Sequence, residues 1–267
     1  MSESSSSGRI RTPILSIVTI VALVASGIAI YVGVKHTAAN SCRAVLQTES
    51  YTLAPEQAAN ATTIAAVGKR MGLPDHAVTV GLAAALQESN LLNLAHGDRD
   101  SLGLFQQRPS QGWGTAAQVM DPAYAAEAFF SHLAQVSGWE TLPVTTAVQR
   151  VQHSASPDAY AQWEAEARVL AIATTGEAPA ALGCRTPAAS PGSIDPALTA
   201  TMTAELGPVD LGTTMATPRG WTVASWLVAH ARRFGIRSVS FDGRRWTRSA
   251  TTWTSQSTAV RQVQIER

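Results

Sequence analysis

Charge is scarce in this chain. Only 15% of its 267 residues are Asp, Glu, Lys or Arg, and the formal net charge at pH 7 is +1. Such a balance gives no basic stripe to follow a nucleic-acid backbone, so nucleic acid is excluded as a partner. Internal repeats of about 20–50 residues are lacking, which excludes solenoids and propellers. Cysteine is reduced to two residues, Cys42 and Cys184. The histidines His76, His96, His132 and His153 are scattered, with no Cys/His group at metal-ligand spacing. No structural metal and no cofactor are expected. Long apolar runs are limited to one, which excludes a transporter, because a single span cannot build an alternating-access site.

That one run is Ile14 to Val34, 21 residues without a charge. At about 1.5 Å rise per residue, a helix of this length covers roughly the 30 Å of bilayer hydrocarbon. It exceeds the about 7–15 apolar residues of a cleaved signal peptide, so a retained single-pass transmembrane helix is expected. Residues 1–13 would form a short cytoplasmic tail, with the bulk of the chain on the extracytoplasmic side of the cell membrane. The two cysteines suit that oxidising compartment. A disulfide between them would staple both ends of the intervening region, contributing roughly 3–5 kcal/mol in the chain-entropy model.

Beyond the membrane, residues 35–51 read as a polar stem. The spacing of apolar residues then predicts helices over 58–71, from 75 through Glu88, and over 123–136. A short periodic segment at 145–151 follows, and then a last helix to about residue 174. The result is an all-helical domain over residues 52–176. Residues 177–197 are rich in Pro, Ala, Gly and Ser and read as an interdomain linker. Residues 198–267 read as a small α/β module. In it, an amphipathic helix precedes a hairpin signal at Asp242-Gly243.

Chemistry concentrates at Glu88. The run VTVGLAAALQESNLL is apolar up to the carboxylate, with Ser89 and Asn90 directly after it. An acid near a helix C-terminus faces the negative end of the macrodipole, and apolar surroundings also disfavour its charged form. Both raise a carboxyl pKa toward the range useful to a general acid. Fifteen residues after Glu88 comes Gly103-Leu104-Phe105-Gln106. Between them, His96-Gly97-Asp98-Arg99-Asp100 is too polar for a core. Trp113 sits in the Gly-rich stretch after the second motif, where an aromatic face suits sugar stacking.

A Glu-Ser pair, a polar loop and then Gly-Leu-hydrophobe-Gln at this spacing resembles the soluble lytic transglycosylase branch of the lysozyme-like superfamily. Residues Ala83 to Trp113 are most similar to a lysozyme-like group of membrane-anchored actinobacterial wall proteins. The resemblance implies a lysozyme-like fold, mainly α, and cleavage of the β-1,4 bond between N-acetylmuramic acid and N-acetylglucosamine. Glu88 would be general acid and then base, Ser89 would orient it, and Gly103 to Gln106 would line the groove for peptidoglycan glycan strands. Asp98 and Asp100 are candidates for a second carboxylate, which would make the enzyme a hydrolytic muramidase instead. The family's third motif, Tyr-Asn-Ala-Gly, should fall near Ala147 to Gln152, where this chain has AVQRVQHS. Gln149, Gln152 and the later Tyr160 are the polar residues available in its place. This departure keeps open a non-catalytic peptidoglycan-binding or scaffold protein. The C-terminal GWTVASWLVAHARRFGI is similar to a small module of actinobacterial surface proteins. Its Arg232, Arg233, Arg244, Arg245 and Arg248 are candidates to hold a protein partner or an anionic wall polymer.

Overall fold

Two short strands, β1 (Ser41–Leu46) and β2 (Glu49–Leu53), open the computed structural model. It describes residues 40–152, 157–187 and 197–267. The strands pair antiparallel, and β1 turns only the small residues Cys42 and Ala44 fully inward. So little inward bulk explains why the segment reads as a polar stem from sequence. Helix α1 (Pro55–Arg70) follows, with Pro at its start and Gln57 Oε1 accepting from Ala54 N at 2.8 Å. Helix α2 (Asp75–Ser89) is buried along most of its length, from Ala77 to Leu86. A short α3 (Ala116–Val119) precedes α4 (Pro122–Leu133), whose Asp121 cap accepts from Ala123 N and Tyr124 N. Gly68 of α1 and Gly81 of α2 leave the space that the Phe130 ring of α4 fills. These three helices therefore pack closely and fix the direction of α2.

Helix α5 (Val144–Gln152) lays Val144, Ala147, Val148 and Val151 against the core, an i, i+3, i+4, i+7 stripe. A 3-10 segment, Pro157–Trp163, leads into α6 (Glu164–Thr175), which packs along α2. Strand β3 (Leu182–Arg185) then returns to β1, giving the sheet order β2-β1-β3 with Cys42 opposite Cys184. These two cysteines form a disulfide across 142 residues of chain. Closing a loop of that length stabilises by about 5 kcal/mol in the chain-entropy model.

The remaining elements are α7 (Leu198–Leu206), α8 (Thr217–Ala229), α9 (Ala231–Phe234), β4 (Ser238–Phe241), β5 (Arg244–Thr247), β6 (Thr254–Ser255) and β7 (Gln264–Glu266). The second sheet has the order β6-β5-β4-β7. Its β4–β5 hairpin turns at Asp242 and Gly243, both at positive φ (46° and 74°), the pair a tight right-twisted hairpin requires. Trp221, Trp226 and Trp246 are fully buried. Helix α8 binds the first region directly: Thr222 Oγ1 donates to Thr175 O at 2.6 Å, and Ser225 Oγ donates to Ala173 O at 3.1 Å. Trp253 Nε1 and Trp246 Nε1 donate to Leu182 O and Cys184 O. Residues 40–267 are accordingly one compact unit, with β3 in the stretch that composition marks as a linker.

The expected fold class is corrected by these elements. The structure is about 49% helical with two small antiparallel sheets: the helices expected over residues 52–176 are joined to the sheet β2-β1-β3, whose strands flank them in the chain, so the fold is not an all-helical domain. No helix among the described residues is long and apolar enough to cross a membrane. The expected transmembrane helix over residues 14–34 and its cytoplasmic tail lie outside the described residues.

Candidate active site

Glu88 is the next-to-last residue of α2, and its side chain is half-buried. The helix stops directly beyond it because Asn90 and Leu91 turn left-handed, at φ 53° and 59°. Burial raises the Glu88 carboxyl above its ordinary range, and hydrogen bonds from Tyr160 and Gln152 oppose part of that rise. Tyr160 Oη donates to Glu88 Oε1 at 2.8 Å, while the Tyr160 ring is wholly buried. Gln152 also donates from Nε2 to Phe105 O at 2.9 Å, so one side chain at the end of α5 joins the acid to the motif loop. Of the polar residues available in place of the third motif, Gln152 and Tyr160 both reach the carboxyl. The segment carrying Tyr160 is held beside α2 by Trp163 Nε1, which donates to Gln87 Oε1 at 2.7 Å. Gln87 and Trp163 carry no motif signal in the sequence, being one glutamine on a helix and one tryptophan among seven.

Ser89 does something other than orient the acid. Its hydroxyl is buried and donates to Leu104 O at 2.7 Å and to Ala85 O at 3.1 Å. It therefore clamps the Gly103–Gln106 loop onto the end of α2. That loop is a tight turn, with Leu102 and Gln107 exchanging backbone hydrogen bonds at 3.0 Å. Gly103 sits at φ 78°, and a Cβ there would run into the Val119 carbonyl oxygen, so both conformation and space require glycine.

The side chains of Leu104 and Phe105 have no exposed surface, and Phe105 stacks on Phe129 with centroids 4.7 Å apart. The expectation that they line a sugar groove is corrected: they anchor the turn, of which only Gln106 is more than slightly exposed. Gln106 folds back on its own loop, donating to Gly103 O at 3.2 Å and to His96 O at 3.4 Å. Trp113 is half-buried and stacks on His132, centroids 4.0 Å apart.

The two aspartates differ. Asp100 accepts from Arg108 Nε at 2.8 Å, Ser110 N at 2.8 Å and Ser110 Oγ at 3.0 Å. These donors hold its carboxyl far below the usual carboxylate range. Asp98 is exposed, with Arg99 at 4.0 Å its only ion-pair partner among the described residues. Of the C-terminal arginines, Arg245 pairs with Glu266 at 2.6 Å and Arg244 donates to Ser255 Oγ at 2.9 Å. Among the described residues no group of three or more His, Cys, Asp or Glu is placed to hold a metal ion. A cavity of about 710 Å³ lies away from Glu88, between the starts of α1 and α4 and the α8–α9 junction. Among known proteins, no family model matches the chain, and no curated protein matches it.

What the site offers chemically is one carboxyl whose affinity for its proton burial raises. It is held by two donors beside a rigid backbone turn, with no second carboxylate bonded to it.

Proposed function

We propose that the protein is a peptidoglycan-cleaving glycosidase of the lytic transglycosylase kind, acting on the β-1,4 bond between N-acetylmuramic acid and N-acetylglucosamine. The observation that carries this reading is the Glu88 carboxyl, desolvated by burial and fixed by Tyr160 and Gln152. With Oε1 accepting from Tyr160, a protonated Glu88 carries its proton on Oε2. That proton goes to the glycosidic oxygen as the bond to the anomeric carbon breaks. The resulting carboxylate takes the proton of the muramyl 6-hydroxyl as that oxygen bonds to the anomeric carbon. A 1,6-anhydro ring forms, no water is consumed, and Glu88 ends protonated. Tyr160 and Gln152 stabilise the charged form between the two steps.

A transglycosylase needs no second carboxylate, and the state of the aspartates supports that choice. A base that activates water must have a free oxygen and an affinity for the proton. Asp100 has both oxygens occupied and holds protons very weakly. The disulfide supports a location outside the reducing cytoplasm, where the cell wall is accessible.

The test is incubation of the purified full chain with isolated peptidoglycan, followed by mass spectrometry of released muropeptides. Anhydro-muropeptides from the native chain and none from Glu88→Gln support the reading. Products carrying an added water would replace it with a hydrolytic muramidase using Asp98. Binding to sacculi without any release would replace it with a non-catalytic wall-binding protein.

A further inference from the structure

The α8 N-terminus opens onto a cavity of about 490 Å³ that is separate from the Glu88 site. Three cations line it, Lys69, Arg70 and Arg219, and no carboxylate does. Lys69 and Arg70 are paired with Asp75 and Glu127, at 2.7 and 2.6 Å. Arg219 is different. Its guanidinium is half-buried, donates to Leu206 O at 2.6 Å, and has no acidic partner among the described residues. Burial alone lowers its pKa, the mark of a desolvated cation lacking a counter-charge. Asp210 lines a neighbouring crevice that Arg219 also borders, and its Oδ1 accepts from Gly212 N at 2.9 Å.

Among the described residues, three further groups at this cavity lack partners. Helix α8 is 13 residues long, and its N-cap, Ala216, provides no side-chain acceptor for the first turn. The positive end of its dipole thus faces the cavity uncapped. Thr175 is 2% exposed and lines the cavity, yet its Oγ1 has no hydrogen-bond partner. The Arg70 Nε, also on the lining, is buried without an acceptor. The Thr175 carbonyl is already taken by Thr222 Oγ1. Unpartnered buried donors are costly, about 1–3 kcal/mol each, so a cluster of them around one cavity calls for an acceptor. The larger 710 Å³ cavity shows the contrast, because there Glu56, Asp121 and Glu205 sit beside Arg232 and Arg233.

We propose that this cavity binds an oxyanion, a phosphate or carboxylate group, carried on a small apolar body. The anion lies at the α8 N-terminus between Arg219 and Arg70 and accepts from Thr175 Oγ1. Leu206, Pro208 and Pro218 face the apolar remainder, and the volume is several times that of a bare phosphate.

Titration calorimetry on the purified full chain at low salt tests this, with inorganic phosphate, phenyl phosphate, benzoate and neutral phenol as probes. Phenyl phosphate or benzoate is expected to bind one per chain, at least tenfold more tightly than phenol, and whichever is tighter identifies the anionic group. Arg219→Gln should weaken that binding at least tenfold and Thr175→Val several-fold, while Arg232→Gln leaves it unchanged. Arg219→Lys keeps a cation in place and should retain most of the binding, which separates loss of charge from loss of fold. Thermal unfolding in parallel should show the bound anion raising the midpoint of the native chain but not of Arg219→Gln. Phenol binding as tightly as the anions, no heat from any probe, or full binding in a folded Arg219→Gln would each overturn the proposal.

Discussion

Glu88 and Asp100 are carboxylates twelve residues apart, and the fold drives them in opposite directions. Glu88 sits where an apolar helix ends, and loss of water raises its pKa against only two opposing hydrogen bonds. Asp100 stays at the surface of a loop with three donors aimed at it, and these lower its pKa. The charge type is the same, so environment alone assigns the roles: one is an acid that can give up a proton, the other a fixed anion that ties a loop. Stability should follow the same division. Glu88 binds its proton more tightly when folded, so its contribution is full at acid pH and lost as pH rises through its folded pKa. Asp100 behaves the other way. Its contribution is present above its ordinary value of 3.8 and is lost as pH falls toward its lower folded pKa.

The largest effect expected on this contrast comes from Glu88→Gln. It should lower muropeptide release by on the order of 10²–10⁴-fold, the usual contribution of a general acid. The same variant should melt higher than the native chain at neutral pH, and the difference should shrink toward pH 4. Activity retained in this variant would break the contrast at its centre.

Ser89→Ala comes next. It leaves the buried Leu104 carbonyl without its donor and should cost about 1–3 kcal/mol in denaturant unfolding. A smaller rate loss than in Glu88→Gln would confirm that Ser89 holds the loop rather than the proton. Tyr160→Phe should raise the Glu88 pKa further, because the lost hydrogen bond favoured the charged form. The high-pH limb of the activity profile should therefore move to higher pH, while the maximal rate falls only several-fold. A limb that moves to lower pH would show that Tyr160 does not act on the carboxylate.

Asp100→Asn should destabilise the chain above about pH 4 and lose that effect in strong acid, with release of anhydro product maintained. Loss of catalysis without loss of stability would reassign Asp100 to the reaction. The smallest effect belongs to Asp98→Asn, expected within about 0.5 kcal/mol of the native stability, as for most exposed positions.

Much of the site was legible where its chemistry is local. The apolar run around Glu88 marked an acid out of water, whereas the need for glycine at position 103 is set by the Val119 carbonyl, which only the fold brings there. Ser89 was misread because its side chain and that of Glu88, adjacent in sequence, point to different partners. On a helix, consecutive side chains point about 100° apart, so the two residues serve different contacts. Leu104 and Phe105 were misread as groove residues because a buried anchor and a binding side chain have the same composition in a loop. The strands β1 to β3 of the first sheet escaped notice for a different reason. A strand such as β1, with Cys42 and Ala44 inside, has hardly any apolar alternation to detect, and β3 lies in a stretch whose Pro and Gly content imitates a linker.

By itself the sequence determined what depends on neighbours along the chain. It placed a desolvated acid at the end of an apolar helix, a positive-φ hairpin at Asp242-Gly243, and two cysteines as the only thiols available to pair. Only the tertiary structure decided which groups meet across long separations. It put Tyr160 on Glu88 from 72 residues away, Cys42 opposite Cys184, and Lys69, Arg70 and Thr175 around the uncapped start of α8. The physical reason is range. Helix and turn preferences act over a few residues, whereas hydrogen bonds and charge interactions in a low-dielectric interior depend on distance in space, which packing alone sets.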